Sequence, residues 1–536
     1  MNIAEHICNY LALYNVHHIF GYPGASILPL MDAIEKHVDL NWVLMRNELA
    51  ASLAASAHGK ITKKISVCMA TSGPGATNLI TGLLDAELDC SPVLAITGLT
   101  ATVRHGLSHF QDVDQAQLLE SCCGFNAVCE HPDQVPQLLQ TAIGYIIRHN
   151  RPAHLSIAAD IQLIEFTDTQ LASAKMHYKQ LHRSLLLLSP PEGAIKIVAE
   201  TIDSTPKIVI AVGARAYGAG KNIELFAEKI GAPIISTFAG KGIVRENHPL
   251  YLGVLGLFGA PANGNAFDSI HEAEVIIAFG VDDLVYFLTD KRIDQVRELI
   301  QCESNITSLN YQFIQKRILL GDINEIAAKL TAEITARPYN IQKIEQIPII
   351  KKTQFVHQEV FFTKLNSFLN SDKTIIALDI GDCVVWATQY LILESYQSVI
   401  VSNRLGTMGF CLPALIAAKL AKPDHLVLGI CGDGGLQMVL AELLTAAQCN
   451  LNIILFVFCN NVLQRVVAQQ KKMYGTTLLN PDFDALAKSC NITGITISNN
   501  SEIEERLKLA FSIKKGPVLV SVHTDPNIYA PMVSWN

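Results

Sequence analysis

The stretch that most constrains this chain runs from His425 to Gln464. It opens with a short apolar run, Leu426 to Cys431, of the length expected for a buried strand. Gly432-Asp433-Gly434-Gly435 then forces a turn, and Leu436, Leu440, Leu443, Leu444 and Ala447 mark one face of a helix. A second apolar run, Ile453 to Phe458, reads as the next strand, and Asn460-Asn461 ends it. In a parallel sheet both strand ends emerge on one edge, where α/β proteins bind their ligands. Asp433 and Asn460 would meet there.

A carboxylate and a carboxamide oxygen suit a hard divalent cation that takes its other oxygens from a diphosphate and water. The glycines at 432, 434 and 435 let the backbone approach that diphosphate closely. A Gly-Asp-Gly turn alone would mean only a tight turn. With a helix, a strand and an asparagine following at this spacing, the pattern is specific. The spacing favours Asn460 as the side-chain ligand beside Asp433, with Asn461 as the weaker candidate.

With 536 residues the chain exceeds one core, and three domains are expected. Half of its residues are hydrophobic and 17% are charged, which fits a large α/β enzyme with much buried sheet. No apolar run approaches a membrane span, and no basic segment with a following apolar run opens the chain, so neither membrane nor secretion is expected. The net charge of −8, with no basic patch, argues against nucleic acid. Thirteen cysteines scattered through apolar segments read as reduced core thiols, and a cytoplasmic location is expected.

Residues 1–165 alternate helical and strand patterns. Gly21-Tyr22-Pro23-Gly24 turns into a helix, the strand Asn41–Met45 leads to Glu48, and Glu48 opens a helix rich in Ala and Ser that can pack closely on its neighbours. By itself Glu48 would complement the helix dipole. The strand Ile65–Ala70 runs into Thr71-Ser72-Gly73-Pro74-Gly75-Ala76-Thr77-Asn78, a glycine turn at a helix start. A loop carrying His105, His109, Phe110 and Gln111 follows the strand Val93–Thr97. Arg151-Pro152-Ala153-His154-Leu155-Ser156-Ile157-Ala158-Ala159-Asp160 echoes Gly516-Pro517-Val518-Leu519-Val520-Ser521-Val522-His523-Thr524-Asp525, so two homologous α/β domains are expected to bracket a third. Polar stretches at 166–185 and 336–354 read as linkers. The middle block has strands at Lys207–Val212, Pro233–Thr237 and Val275–Gly280 and is Rossmann-like, without a clean dinucleotide fingerprint. The expected architecture is therefore α/β with three doubly wound parallel-sheet domains, at 1–165, 186–335 and 355–536.

Taken in order, GYPGASILPL at 21–30, Glu48, SGPGATN at 72–78, Phe110-Gln111, GKG at 240–242, the segment Leu405 to Phe410 and the Gly-Asp-Gly…Asn pattern span nearly the whole chain. The chain resembles the thiamin-diphosphate-dependent acetolactate synthase/pyruvate oxidase family. The resemblance implies a pyrimidine-binding first domain, a central Rossmann-like domain and a diphosphate-binding third domain. It also implies thiamin diphosphate and Mg²⁺ as cofactors, and a homodimer or homotetramer with active sites between subunits. By the same match, Glu48 bonds the pyrimidine ring nitrogen and promotes proton removal from the thiazolium carbon. Met408 wedges the two rings together and Gly406 offers its carbonyl to the pyrimidine amino group. Pro23 and Gly24 contact the cofactor, Phe110 and Gln111 line the reaction centre, and Asp433, Asn460 and Val462 hold the metal beside Gly432, Gly434 and Gly435.

The implied reaction is decarboxylation of a 2-oxo acid, with carboligation of the resulting enamine to a second carbonyl. Simple decarboxylation, a flavin-dependent oxidase of the pyruvate oxidase kind and a catalytically silent regulatory subunit are the alternatives. Three departures from the acetolactate synthases count against FAD binding and against authentic acetolactate synthesis. Ala159 stands in place of a lysine, Gly280-Val281-Asp282-Asp283-Leu284-Val285 replaces an arginine-bearing segment, and Arg465 and Gln469 fall on a methionine and a tryptophan. A guanidinium suits a carboxylate or phosphate, so Arg465 is expected to recognise an acidic group on the substrate.

Overall fold

The structure, a computed structural model, describes residues 1–165, 189–256, 258–259, 266, 269–270, 272–281, 296–306, 316–338, 353–369 and 371–530. The two linker segments and Asp282 to Val285 of the middle block thus lie largely or wholly outside the described residues. Three six-stranded sheets, all parallel in their pairings, form the framework. This is the expected α/β architecture.

The first sheet is built from β1 (His18–Gly21), β2 (Asn41–Leu44), β3 (Ser66–Ala70), β4 (Val93–Leu99), β5 (Phe125–Cys129) and β6 (Ala153–Ala158). Its order is β2-β1-β3-β4-β6-β5. Strands β3, β4 and β6 are buried along their whole length, which is why they read as unbroken apolar runs. Because the order reverses between β1 and β3, the turns leaving those two strands open a crevice at the carboxyl edge. The Gly21–Gly24 turn and the Thr71–Gly75 turn are those two turns.

The middle sheet contains β7 (Ile208–Val212), β8 (Ile234–Ser236), β9 (Tyr251–Val254), β10 (Val275–Phe279), β11 (Glu298–Glu303) and β12 (Lys316–Leu320). Its order, β12-β11-β10-β7-β8-β9, is the doubly wound dinucleotide-fold order. Separate apolar clusters cover its two faces, one around Ile210, Phe226 and Phe279 and one around Val209, Ile235 and Ile276.

The third sheet comprises β13 (Thr374–Leu378), β14 (Ser398–Ile400), β15 (Leu426–Gly432), β16 (Ile454–Cys459), β17 (Thr493–Ile497) and β18 (Val518–His523). Its order, β14-β13-β15-β16-β18-β17, repeats that of the first sheet strand for strand. The two echoing segments noted in the sequence become β6 and β18, which occupy equivalent places. Shared topology explains the repeat.

The chain forms two compact units. One holds the described residues through 165 together with 402–423 and 437–451. The other holds those from 189 to 401 together with 424–436 and 452–530. In the first unit the helix Glu48–Thr62 packs so tightly on the helix Ile80–Leu88 that a Cβ at Gly82 would lie 2.2 Å from Ser52 Oγ and 2.5 Å from the Leu53 nitrogen. The Ala/Ser composition of the first helix makes that approach possible. One expectation is corrected. The helix foreseen across Leu436 to Ala447 is broken into Asp433–Met438 and Glu442–Gln448. At the break the N–H groups of Glu442 and Leu443 bond to the carbonyls three residues back, which tightens the backbone out of α geometry.

Candidate active site

Glu48 is the first residue of its helix, behind the N-cap Asn47, whose side chain accepts from the Leu49 N–H at 2.8 Å. Glu48 is 8% exposed, and Asn78 Nδ2 donates to its Oε2 at 3.0 Å. A Cβ on Gly75 would stand 3.3 Å from Oε1, so the glycine turn after β3 passes directly beside the acid. The Pro23-Gly24 turn is fastened to the same place. Ser26 Oγ lies 2.9 Å from Thr71 Oγ1 and accepts from the Ser72 N–H at 2.9 Å, while a Cβ at Gly24 would lie 2.4 Å from that of Thr71. Thus the first sheet's carboxyl edge gathers Pro23, Gly24 and Glu48, as its switch point requires.

Gln111 joins this edge less closely. It holds a left-handed backbone, φ +59°, packs on Gly73 and accepts from Ser72 Oγ at 3.5 Å. Phe110 does not pack into the edge: it is 78% exposed, in a loop that also exposes Val103 and Leu107.

Gly406 and Met408 lie on the segment Ser402–Phe410 of the same unit. Gly406 has φ +71° and nothing within 4 Å of where a Cβ would stand, so its backbone is open to a neighbour. The segment is anchored by charge. The Asn403 and Arg404 N–H groups donate to the two carboxylate oxygens of Asp89 at 2.8 and 2.9 Å. Lys60 Nζ bridges Asp89 (2.7 Å) and Asp85 (2.8 Å), and it sits 4.6 Å above the Phe410 ring. Burial alone would lower the Lys60 pKa, but the two carboxylates outweigh it and raise it. Burial raises the Asp85 pKa against the opposing pull of Lys60.

In the other unit, Asp433 follows β15 and is 3% exposed. Its Oδ1 accepts from the Gly434 N–H at 2.9 Å. Its Oδ2 accepts from the Asn460 N–H (3.0 Å), the Asn461 N–H (2.8 Å) and Asn480 Nδ2 (2.7 Å). The carboxylate is therefore held in a fixed direction at the end of the central strand pair β15–β16. Gly432 has nothing within 4 Å of a would-be Cβ, whereas one on Gly435 would meet Asp379 Oδ2 at 2.9 Å. Here the two asparagines part company. The Asn460 side chain serves its own turn, accepting from the Val462 N–H at 3.1 Å and donating to Gln464 Oε1 at 2.8 Å. Asn461, with φ +61°, instead shares the Asn480 donor with Asp433, its Oδ1 lying 2.6 Å from Asn480 Nδ2. The expectation favoured Asn460; in the structure it is the Asn461 oxygen that shares a donor with the Asp433 carboxylate. Val462 pairs in an isolated antiparallel bridge with Thr477.

Arg465, expected to meet an acidic group on the substrate, is engaged by an acid of its own chain. It forms an ion pair with Asp382 and donates to the Ala530 carbonyl at 3.3 Å. Asp382 also accepts from Trp386 Nε1 at 2.8 Å and the Ala530 N–H at 3.1 Å. A cavity of about 530 Å³ opens beside this pair, lined by Lys471, Lys472, Met473 and Tyr529 among others. Asp382 and Asn480 were missed in the sequence. Asp379-Ile380-Gly381-Asp382, an acid–glycine turn at the end of β13, carried a signal like that of Gly432-Asp433. Asn480 carried none beyond its proline neighbour.

Comparison with known proteins agrees with this layout. Residues 1–118 match "Thiamine pyrophosphate enzyme, N-terminal TPP binding domain", residues 195–330 the corresponding central domain and residues 379–522 the C-terminal TPP binding domain. The "Probable acetolactate synthase large subunit" of Methanococcus aeolicus is 31% identical over 99% of this chain and 94% of its own length. The "Acetolactate synthase isozyme 1 large subunit" of Escherichia coli (strain K12) is 28% identical, covering 97% and 94%. The "Putative thiamine pyrophosphate-containing protein YdaP" of Bacillus subtilis (strain 168) is also 28% identical, covering 96% and 90%. With three matched domains in order and relatives aligned along its whole length, this chain belongs to the thiamine pyrophosphate enzyme family.

Proposed function

We propose that the chain binds thiamin diphosphate with Mg²⁺, decarboxylates a 2-oxo acid and joins the retained carbon fragment to a second carbonyl compound. The observation that carries this reading is the Asp433 carboxylate, buried at a sheet's carboxyl edge and sharing the Asn480 amide with the Asn461 side-chain oxygen. Asp433 and Asn461 would hold the metal, with a main-chain carbonyl from the turn at Val462. Gly432 leaves room for a diphosphate. Thiamin diphosphate supplies, when bound, a carbon acid whose conjugate base attacks the substrate carbonyl and takes up the electrons released with CO₂.

The chain's own residues do the rest. Glu48, desolvated and fixed by Asn78, would hold a proton at a ring nitrogen and so tune a nearby base. Met408, on a segment anchored through Asp89, would set the bend that brings base and carbon together. The exposed Val103, Leu107 and Phe110 support assembly into a homo-oligomer, since such an apolar patch favours being covered. Lys471 and Lys472 at the cavity by Arg465 favour a substrate carrying a further anionic group.

The test is CO₂ release from a panel of 2-oxo acids, with and without a second carbonyl compound. Release that needs both cofactors, with a longer-chain product, supports the reading. Uptake of thiamin diphosphate with no release from any 2-oxo acid would refute it.

A further inference from the structure

One amide nitrogen bonds both of the oxygens proposed to hold the metal. Asn480 Nδ2 donates to Asp433 Oδ2 at 2.7 Å and to Asn461 Oδ1 at 2.6 Å. An amide N–H pair is an electropositive group, and here it sits between a carboxylate and a carboxamide oxygen, as a cation would. It does so on a turn already docked by backbone bonds, Leu463 N–H to the Thr476 carbonyl at 2.8 Å and Leu478 N–H to the Asn461 carbonyl at 2.7 Å. The Asn480 side chain is therefore presented by a fixed frame. Its contact does not depend on a wandering loop.

A metal that takes Asp433 Oδ2 together with Asn461 Oδ1 excludes the amide. Mg²⁺ binds oxygen at about 2.1 Å and demands adjacent ligand oxygens about 3 Å apart, which leaves no room for a nitrogen between them. We propose that Asn480 is a placeholder for the cation. In the metal-free chain it keeps Asp433 and Asn461 aimed at one point and offsets the buried charge; on metal binding its amide is displaced. This rests on the reading of Asp433 and Asn461 as metal ligands, and it adds that Asn480 is a positioning residue that opposes the metal it prepares for.

The test uses the full chain with thiamin diphosphate, titrated with Mn²⁺ and read by the electron paramagnetic resonance of free Mn²⁺, with melting curves of metal-free and loaded protein. Asn480→Ala removes the competitor. It should lower the midpoint of the metal-free protein, leave that of the loaded protein unchanged and tighten Mn²⁺ binding about tenfold, the worth of a hydrogen bond to a charged acceptor. Asn480→Asp keeps the shape but cannot donate, and it should tighten Mn²⁺ at least as much. Should the Ala variant fail to fold, the Asp variant decides alone. Unchanged or weaker Mn²⁺ binding, or midpoints lowered equally in both states, overturns the placeholder while the metal site stands. A wild-type chain that takes up no Mn²⁺ overturns both.

Discussion

Lys60→Met tests the packing that carries Glu48 and Met408. Lys60 is 11% exposed and joins two carboxylates, Asp85 (0%) and Asp89 (6%), on the neighbouring helix end. The substitution keeps the aliphatic stem and removes the charge, leaving two buried acids facing each other. Breaking one side of a buried ion pair costs about 3–5 kcal/mol, and loss of the cation over Phe410 adds about 0.5–2 kcal/mol. The sign of the pH dependence is fixed by Asp85. Its folded pKa is already raised by burial and will rise further without Lys60. An acid with a raised folded pKa contributes stability below its unfolded pKa and loses it as pH rises through the folded value. The deficit should therefore be smaller at pH 5 than at pH 8. Adding Asp85→Asn, which removes the unpaired charge, should recover most of it. The assay is native-state hydrogen exchange of the helices Glu48–Thr62 and Ile80–Leu88 and of the segment Ser402–Phe410. A loss below about 1 kcal/mol, or a double variant no better than the sum of the singles, would show that Lys60 does not hold these two acids in place.

Further expectations concern the metal turn, acid stability and helix packing. Asn461→Ala should weaken Mn²⁺ binding at least tenfold while Asn460→Ala weakens it less, read in the same titration; the reverse order would restore Asn460 as the ligand. His58 and His154 are held neutral by burial, their pKa values lowered to about 3, whereas the unfolded chain protonates near 6.5. Stability is thus present above that value and falls with acid, by up to about 1.4 kcal/mol per pH unit for each histidine. His154→Gln should flatten the decline in melting temperature between pH 7 and 5. Gly82→Ala should destabilise the first unit by about 1–3 kcal/mol or more, because backbone atoms meet the new methyl; an unchanged melting temperature would contradict that packing.

The sequence disclosed the fold through burial. Strands such as β4 and β6 are covered on both faces, so their apolar runs were visible without alternation, and the repeat ending in β6 and β18 announced two equivalent sheets. The break at Val439–Ala441 was hidden because the apolar spacing continues through it. At the site, Asp433 was legible from its glycine turn. Which neighbouring asparagine turns toward it was not, since that depends on one residue's left-handed backbone and on Asn480, nineteen positions later. For Arg465 the sequence revealed a charge but not its partner, because Asp382 lies eighty-three residues away.

The proposed function requires Glu48 and the Asp433 turn to put bound thiamin diphosphate to work. The direct measurement is deuterium exchange at the thiazolium C2 position of the bound cofactor, quenched in acid and read by NMR, in wild type and Glu48→Gln. A wild-type rate at least a hundredfold above the variant's, with thiamin diphosphate still bound in both, is the predicted result. Equal rates with equal occupancy would contradict it.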